Sequence, residues 1–294
     1  MIKKGIYAAA LSVINEDYSL NIQETVLHAE KIISDGLHGV FFFGSTGQSQ
    51  LISINEKKEF IYTISSHRLK KNFFLGTGCN SLNENLDLIK YSLEYGFNTF
   101  LIMPPAYYKK NTFEGVYDFY KEIIKKNPKI KIIIYNFEKL SGFKFKEEDI
   151  IKLVKNFPKN IIGCKDSSYN LYKSLKLQNF LMFPGSESKL IEGLKIGCAG
   201  CISAVTNVTN KLAREVFDQY QKEKIEDNNN RLINIRNAFD QFNLIPALHS
   251  YMSIKNKNFS NLLPPLRLLN AEDKKKLLSN LSELKFVDKK DKAA

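Results

Sequence analysis

Lys165 closes a run that otherwise reads as a buried strand, NIIGCKD at 160–166, and Ser167 and Ser168 follow at once. An unpaired ammonium inside a protein costs several kcal/mol or gives up its proton. Lys165 is therefore either a solvated strand end paired with Asp166 or an amine kept for its reactivity. A neutral lysine amine attacks a ketone to form a Schiff base, and the protonated imine then draws electrons from the neighbouring carbon. That chemistry makes or breaks a carbon–carbon bond without a metal. It needs two further parts, a proton relay and a cradle for a carboxylate. Tyr135, at the end of KIIIYN (131–136), is either a packing ring with a wet hydroxyl or that relay. GSTGQS at 44–49 places Gly44 and Gly47 for a tight turn with inward N–H groups, and Ser45 and Thr46 for hydroxyls. It is either an anion cradle or a helix-capping turn. It is not a P-loop, because no Gly-Lys-Ser/Thr follows.

Each of these residues ends an apolar run, and the runs repeat. They are GIYAAALSV (5–13), GVFFFG (39–44), NFFLGTG (72–78), TFLIMPP (99–105), KIIIYN, NIIGCKD, FLMFPG (180–185) and GCISAV (200–205). None alternates apolar with polar, which suits strands buried on both faces of a parallel sheet. Between them lie stretches with helical spacing, such as Leu82, Leu86, Ile89 and Leu93, or Val116, Phe119, Tyr120 and Ile123. Eight strands alternating with helices predict a (β/α)8 TIM barrel, whose functional groups sit at the carboxyl ends of the strands. Those ends bring together GSTGQS, PPAYY, Tyr135, Lys165, the carboxylate of Glu187 in PGSES, and ISAVTN. Past the eighth strand only helical runs remain, NRLINIRNAF and AEDKKKLLSNLSEL, with Pro264 and Pro265 marking the loop before the last. The expected division is a barrel over 1–222 and a helical segment over 223–294 packed on it.

Bulk properties narrow the function classes. With 294 residues and 44% hydrophobic content, the chain has ample material for one large core. The net charge of +12 is spread along the chain. Its local runs, KKNPKIK at 125–131 and the tail DKKDKAA, carry no interleaved aromatics, which argues against nucleic-acid binding. Cys79, Cys164, Cys198 and Cys201 form no disulfide framework, which points to a reducing compartment. Cys198 and Cys201 have C-x-x-C spacing without a second pair, and His28, His38, His67 and His249 are scattered, so no metal site is expected. The apolar stretch near the N-terminus is too short to span a membrane and is broken by Asn15, Glu16 and Asp17. A soluble, cytoplasmic protein is the expectation.

From GIYAAALSV to about PPLRLL the sequence resembles the dihydrodipicolinate synthase and N-acetylneuraminate lyase family of pyruvate-dependent class I aldolases. GSTGQS is similar to the family's Gly-Ser/Thr-Thr-Gly-Glu turn, and YNFEKLSG to its Y-N-x-P-x-x-S/T-G strand end. GCKDSS is similar to its G-x-K-D/Q-S/T-S strand, and GCISAVTNV to its eighth-strand motif. The resemblance implies that Lys165 forms the Schiff base with pyruvate and that no other cofactor is needed. It implies that Tyr135 and Ser45 relay protons, that the backbone of Ser45 and Thr46 holds the pyruvate carboxylate, and that the main chain of Ile202 lines the pocket. It implies that Tyr108 reaches into the site of a neighbouring subunit, in a homotetramer built as a dimer of dimers.

The departures bear on the second substrate. Gln48 replaces the usual glutamate, and Glu138 replaces the proline of the tyrosine motif. Leu140 stands where the synthases of the family carry an arginine for the carboxylate of aspartate semialdehyde, as in the neuraminate lyases. Ser167 and Glu187 match lyase residues that read the sugar chain, while Ser188 replaces a second lyase acid. The expectation is a lyase for N-acetylneuraminate or another 2-keto-3-deoxy sugar acid, with polyhydroxylated acceptors read by Ser167 and Glu187. Two alternatives stand beside it. One is a dihydrodipicolinate synthase in which Lys139 or another cation replaces the arginine, and the other is a non-catalytic binding protein on the same fold.

Overall fold

The structure is a computed structural model and describes residues 2–222 and 228–287. Each apolar run named above contains one strand: β1 (Gly5–Ala9), β2 (Gly39–Phe42), β3 (Phe73–Gly76), β4 (Thr99–Ile102), β5 (Lys131–Asn136), β6 (Ile161–Asp166), β7 (Leu181–Pro184) and β8 (Gly200–Ser203). All pairings are parallel, in the order β7-β6-β5-β4-β3-β2-β1-β8. The Ala199 N–H, just before β8, donates to the Met182 carbonyl of β7 at 2.8 Å, which draws the two ends of the sheet into a barrel.

Helices α1 (Ile22–Ser34), α2 (Ile54–Ile64), α3 (Leu82–Glu94) and α4 (Phe113–Lys126) each follow one of the first four strands. The single turn α5 (Glu138–Ser141) and α6 (Glu147–Asn156) follow β5, α7 (Leu190–Lys195) follows β7, and α8 (Thr206–Gln221) follows β8. Between β6 and β7 the chain departs from strict alternation and runs without a helix. The reason is Asp166, whose carboxylate accepts from the N–H groups of Tyr169 (2.9 Å), Leu171 (2.8 Å) and Tyr172 (2.9 Å) and so folds the segment into turns.

Helices α9 (Asn228–Asp240), α10 (Leu244–Met252) and α11 (Ala271–Glu283) complete the chain. The sequence pattern singled out α9 and α11 but not α10, which is short and carries Pro246 in its first turn, where proline is tolerated. This segment is tied into the barrel. The Leu263 N–H donates to Gln48 Oε1 at 2.8 Å, and Asn261 Nδ2 donates to the Ile14 carbonyl at 3.2 Å. The expected junction at 222/223 adjoins residues outside the description, and the tail DKKDKAA lies outside it as well.

The strands carry apolar residues on both faces, which explains the absence of alternation in the sequence. Tyr7, Phe41, Phe74, Leu101, Ile133, Phe183 and Ile202 point inward and fill the barrel. Burying each such side chain contributes roughly 1.5–3 kcal/mol. Val40, Phe42, Ile132, Ile134 and Cys164 point outward, against the helices. All four cysteines are free and buried. No helix among the described residues is long and apolar enough to cross a membrane.

His28 and His249 lie edge-on and tilted against the same ring, Phe259, at 5.2 and 5.7 Å between centroids. Burial pushes both imidazoles down to about 4. His249 Nδ1 bonds the Phe259 carbonyl (3.1 Å), so it must carry the proton, and Nε2 has no partner. Both rings are therefore neutral in the folded chain, whereas in the unfolded chain they take up protons near pH 6.5. Below that pH the unfolded state binds more protons, so stability falls as the pH drops from 6.5 toward 4, by up to roughly 3 kcal/mol per ring. Denaturant titrations at pH 7.5 and pH 5 check this, and equal midpoints at the two pH values would contradict it.

Candidate active site

The strand register builds the centre of the site. In β5, Ile133 and Tyr135 face inward, so Tyr135 continues the barrel filling up to the carboxyl-end mouth. In β6 a bulge decides the outcome. Ile161 pairs with Ile132, but the next partner of β5, Ile133, is Gly163. One extra residue enters β6 there, and the parity of everything after it is reversed. Cys164 consequently faces the helices and Lys165 faces inward, as the lateral partner of Tyr135. Without the bulge the ammonium would point into the outer apolar layer. Gly163 is required at this point, because a Cβ would meet the Leu181 carbonyl at 2.4 Å.

Lys165 is 3% exposed, and its Nζ stands over the Tyr135 ring, 4.2 Å from the centroid. Asp166 is not its partner. That carboxylate takes the three N–H groups named above and the side-chain amide of Asn136 at 2.8 Å. No carboxylate forms an ion pair with Lys165 among the described residues. Asn136 and Asp166 are lateral partners on the opposite face to Tyr135 and Lys165, and Asn136 also bonds Asn170 (2.9 Å). This polar clamp holds the ends of β5 and β6 together beneath Tyr135 and Lys165. The residues were visible in YN and KD, but their mutual bond was not.

After β2 the chain turns through Ser45–Gly47. The hydroxyls of Ser45 and Tyr135 lie 3.2 Å apart, a hydrogen bond that either can donate. The N–H groups of Ser45 and Thr46 open this turn, where no preceding carbonyl of the turn can accept from them. Thr46 is buried beside Ser45. Gln48 is buried, and its amide uses both ends: Nε2 donates to the Ser12 carbonyl (3.5 Å) and Oε1 accepts from Leu263. A glutamate could not donate, so the amide suits this junction.

A cavity of about 300 Å³ opens at Ser45 and Tyr135, walled also by Leu140, the loop after β3, the end of β4 with the loop that follows it, and the C-terminal segment. Behind its wall, Lys57 is buried and donates to the carbonyls of Thr77 and Gly78, each at 3.1 Å. This fixes the loop after β3.

The other expected residues fall in different places. Leu140 is 37% exposed and lines the cavity. Ser167 is half-buried at the end of β6, against Gly185, where a Cβ would come within 2.0 Å of the Ser167 hydroxyl oxygen. Ile202 is buried, and its main chain is engaged with Tyr7 of β1. Tyr108 is 74% exposed on the loop after β4, its ring edge-on to Tyr107 at 5.2 Å.

Glu187 is a correction. It was expected to read substrate, but it is wholly buried and its acceptors are taken. Oε1 accepts from Thr209 (3.1 Å), and Oε2 meets the Ser203 hydroxyl and the Arg236 guanidinium (3.3 Å). Arg236 comes from α9 and also bonds Asp240 at 2.8 Å. The cluster pins the C-terminal helices to the barrel. Arg236→Met leaves Glu187 unpaired in the interior and should cost about 3–5 kcal/mol. Adding Glu187→Gln should restore much of that, which thermal melts of the single and double variants check. No recovery in the double variant would contradict the pairing. Among the described residues no group of three or more His, Cys, Asp or Glu side chains is placed to hold a metal ion.

Comparisons with known proteins converge on one family and one fold. A model of the dihydrodipicolinate synthetase family matches residues 3–284. The chain is 28% identical over 260 residues to a 2-dehydro-3-deoxy-D-gluconate/2-dehydro-3-deoxy-phosphogluconate aldolase of Picrophilus torridus, covering 83% of this chain and 95% of that one. It is 30% identical over 220 residues to a 4-hydroxy-tetrahydrodipicolinate synthase of Bartonella bacilliformis, covering 73% and 74%. The fold is that of YagE, a prophage protein of the same family from E. coli K12 solved in complex with pyruvate. The TM-score is 0.88 at 19% identity, over 98% of this chain and all of that one.

Proposed function

The chain belongs to the dihydrodipicolinate synthetase family, and from that premise we propose that it is a pyruvate-dependent class I carbon–carbon lyase acting through a Schiff base on Lys165. The observation that carries this is a trio of side chains: Lys165 over the Tyr135 ring at 4.2 Å, with no carboxylate paired to it among the described residues, and the Tyr135 hydroxyl 3.2 Å from Ser45, these last two lining the cavity. The amine of Lys165 attacks the ketone carbon of pyruvate, and water leaves as the imine forms. Loss of a methyl proton gives an enamine, whose carbon attacks an aldehyde. Tyr135, with Ser45 behind it, gives and takes the protons at the reacting carbons and oxygen. The turn at Ser45 and Thr46 holds the pyruvate carboxylate through backbone N–H groups. Hydrolysis of the imine returns the amine, and the same steps run backward cleave a 4-hydroxy-2-oxo acid. The reaction requires no metal and no further cofactor.

The aldolase side of the family fits better than the synthase side. Leu140 supplies no cation for the carboxylate of aspartate semialdehyde, and Lys139 beside it lines no part of the cavity. Oligomerisation belongs to the same proposal. The exposed Tyr107 and Tyr108 rings suit a subunit contact, with Tyr108 entering the neighbour's site in a dimer of dimers. A cytoplasmic location and a division into barrel (1–222) and helical segment (223–294) complete it. The test is pyruvate release from a panel of 4-hydroxy-2-oxo acids, followed by coupled reduction of pyruvate. Release with turnover supports the lyase, and an adduct without turnover would mean a binding protein.

A further inference from the structure

We infer that the second substrate of this site is a neutral aldehyde with a short apolar chain, rather than an anionic or polyhydroxylated one. The inference rests on the reading of Lys165 as the imine former. Its basis is the make-up of the cavity beyond Tyr135 and Ser45. Leu51, Leu101, Met103, Leu140, Ile245 and Leu266 supply most of the wall, and no charged side chain lines it among the described residues.

The nearby charges are committed elsewhere. Glu187 and Arg236 satisfy each other in the interior. Lys57 is spent on two backbone carbonyls. Lys109 donates to the Leu140 carbonyl at 3.0 Å. The polar liners are neutral, and those nearest the proposed imine are partnered. Ser45 and Tyr135 bond each other, and the Gln48 amide uses both ends. Gln50 sits at the exposed rim.

A carboxylate or phosphate brought into this cavity would lose its hydration without meeting a cation. A polyol would set most of its hydroxyls against the apolar side chains that dominate the wall, each a cost. An apolar chain gains with every methylene removed from water. About 300 Å³ is at the small end of ligand cavities, which suits a chain of a few carbons.

The step balances. The enamine carbon forms a bond to the aldehyde carbon, whose oxygen takes a proton through Tyr135. The water released when the imine formed is taken up again at its hydrolysis. The product is a 4-hydroxy-2-oxo acid with an apolar tail, and no oxidant or reductant takes part.

The experiment measures kcat/KM for condensation of pyruvate with butanal, glyceraldehyde, glyceraldehyde 3-phosphate and aspartate semialdehyde, with borohydride trapping of pyruvate on the same preparation. Butanal should exceed glyceraldehyde by about 10-fold or more, the worth of one or two well-placed apolar groups. It should exceed the two anionic aldehydes by a wider margin. Leu140→Arg should raise the ratio of semialdehyde to butanal use. A trapped adduct together with preference for glyceraldehyde or either anion overturns this inference and leaves the Schiff-base reading standing. Absence of any trapped adduct overturns both.

Discussion

Lys165→Met loses turnover by about 10⁵-fold or more, on the scale seen when a covalent catalyst loses its nucleophile, and melts no lower than the parent protein. The two halves of this result come from one observation. Lys165 is a buried lysine, 3% exposed, with an aromatic face beneath it and no carboxylate paired to it among the described residues. A lysine so placed adds little to stability, because the cost of burying its polar end is offset only by the Tyr135 ring, a contact worth about 2 kcal/mol. Methionine fills nearly the same volume and carries no charge to desolvate. A residue kept for stability would show the opposite pattern, a lower melting temperature with activity falling in proportion to unfolding. The check is a thermal melt beside a pyruvate-coupled assay. Turnover within about 10-fold of the parent's, the span of a modest specificity effect, would remove Lys165 from the chemistry.

Tyr135→Phe keeps the fold and loses about 10²–10⁴-fold in kcat, the usual worth of a positioned acid–base group. The ring is held independently of its hydroxyl. It continues the inward layer of β5, lies under Lys165, and packs with Phe137 at 5.8 Å between centroids. What the substitution removes is the 3.2 Å contact with Ser45, the route of the proposed proton relay. On the proposed mechanism the hydroxyl acts at bond making and breaking, so the loss falls on kcat more than on KM. Steady-state kinetics with a saturating aldehyde separate the two. A variant within a few-fold of the parent would make Tyr135 a packing residue.

Much of this was legible in the residues themselves. Strands buried on both faces leave long apolar runs, and the polar residue that ends each run must lie at a barrel mouth. All eight strands, and the nearness of Lys165, Tyr135 and Ser45, follow from that rule. The inward aim of Lys165 did not follow. It depends on a one-residue bulge between Ile161 and Gly163, and a bulge leaves no trace in composition or period. Glu187 misled for a related reason. Its position at a strand end suggested a substrate contact, but its partner Arg236 lies 49 positions on, in a helix whose docking the local pattern does not encode. Gln48 read as a departure from a motif, and only the fold shows it joining Ser12 to Leu263. The loop between β6 and β7 lacks a helix because Asp166 draws its N–H groups away, a competition settled by geometry rather than by propensity.

The central claim is that Lys165 carries pyruvate as an imine. Borohydride added to the protein with pyruvate, followed by proteolysis and mass spectrometry, tests it directly. The expected result is one reduced pyruvate unit on the peptide containing Lys165, dependent on pyruvate and absent from Lys165→Met. Intact folded protein that yields no adduct, or an adduct on a different lysine that persists in Lys165→Met, would contradict it.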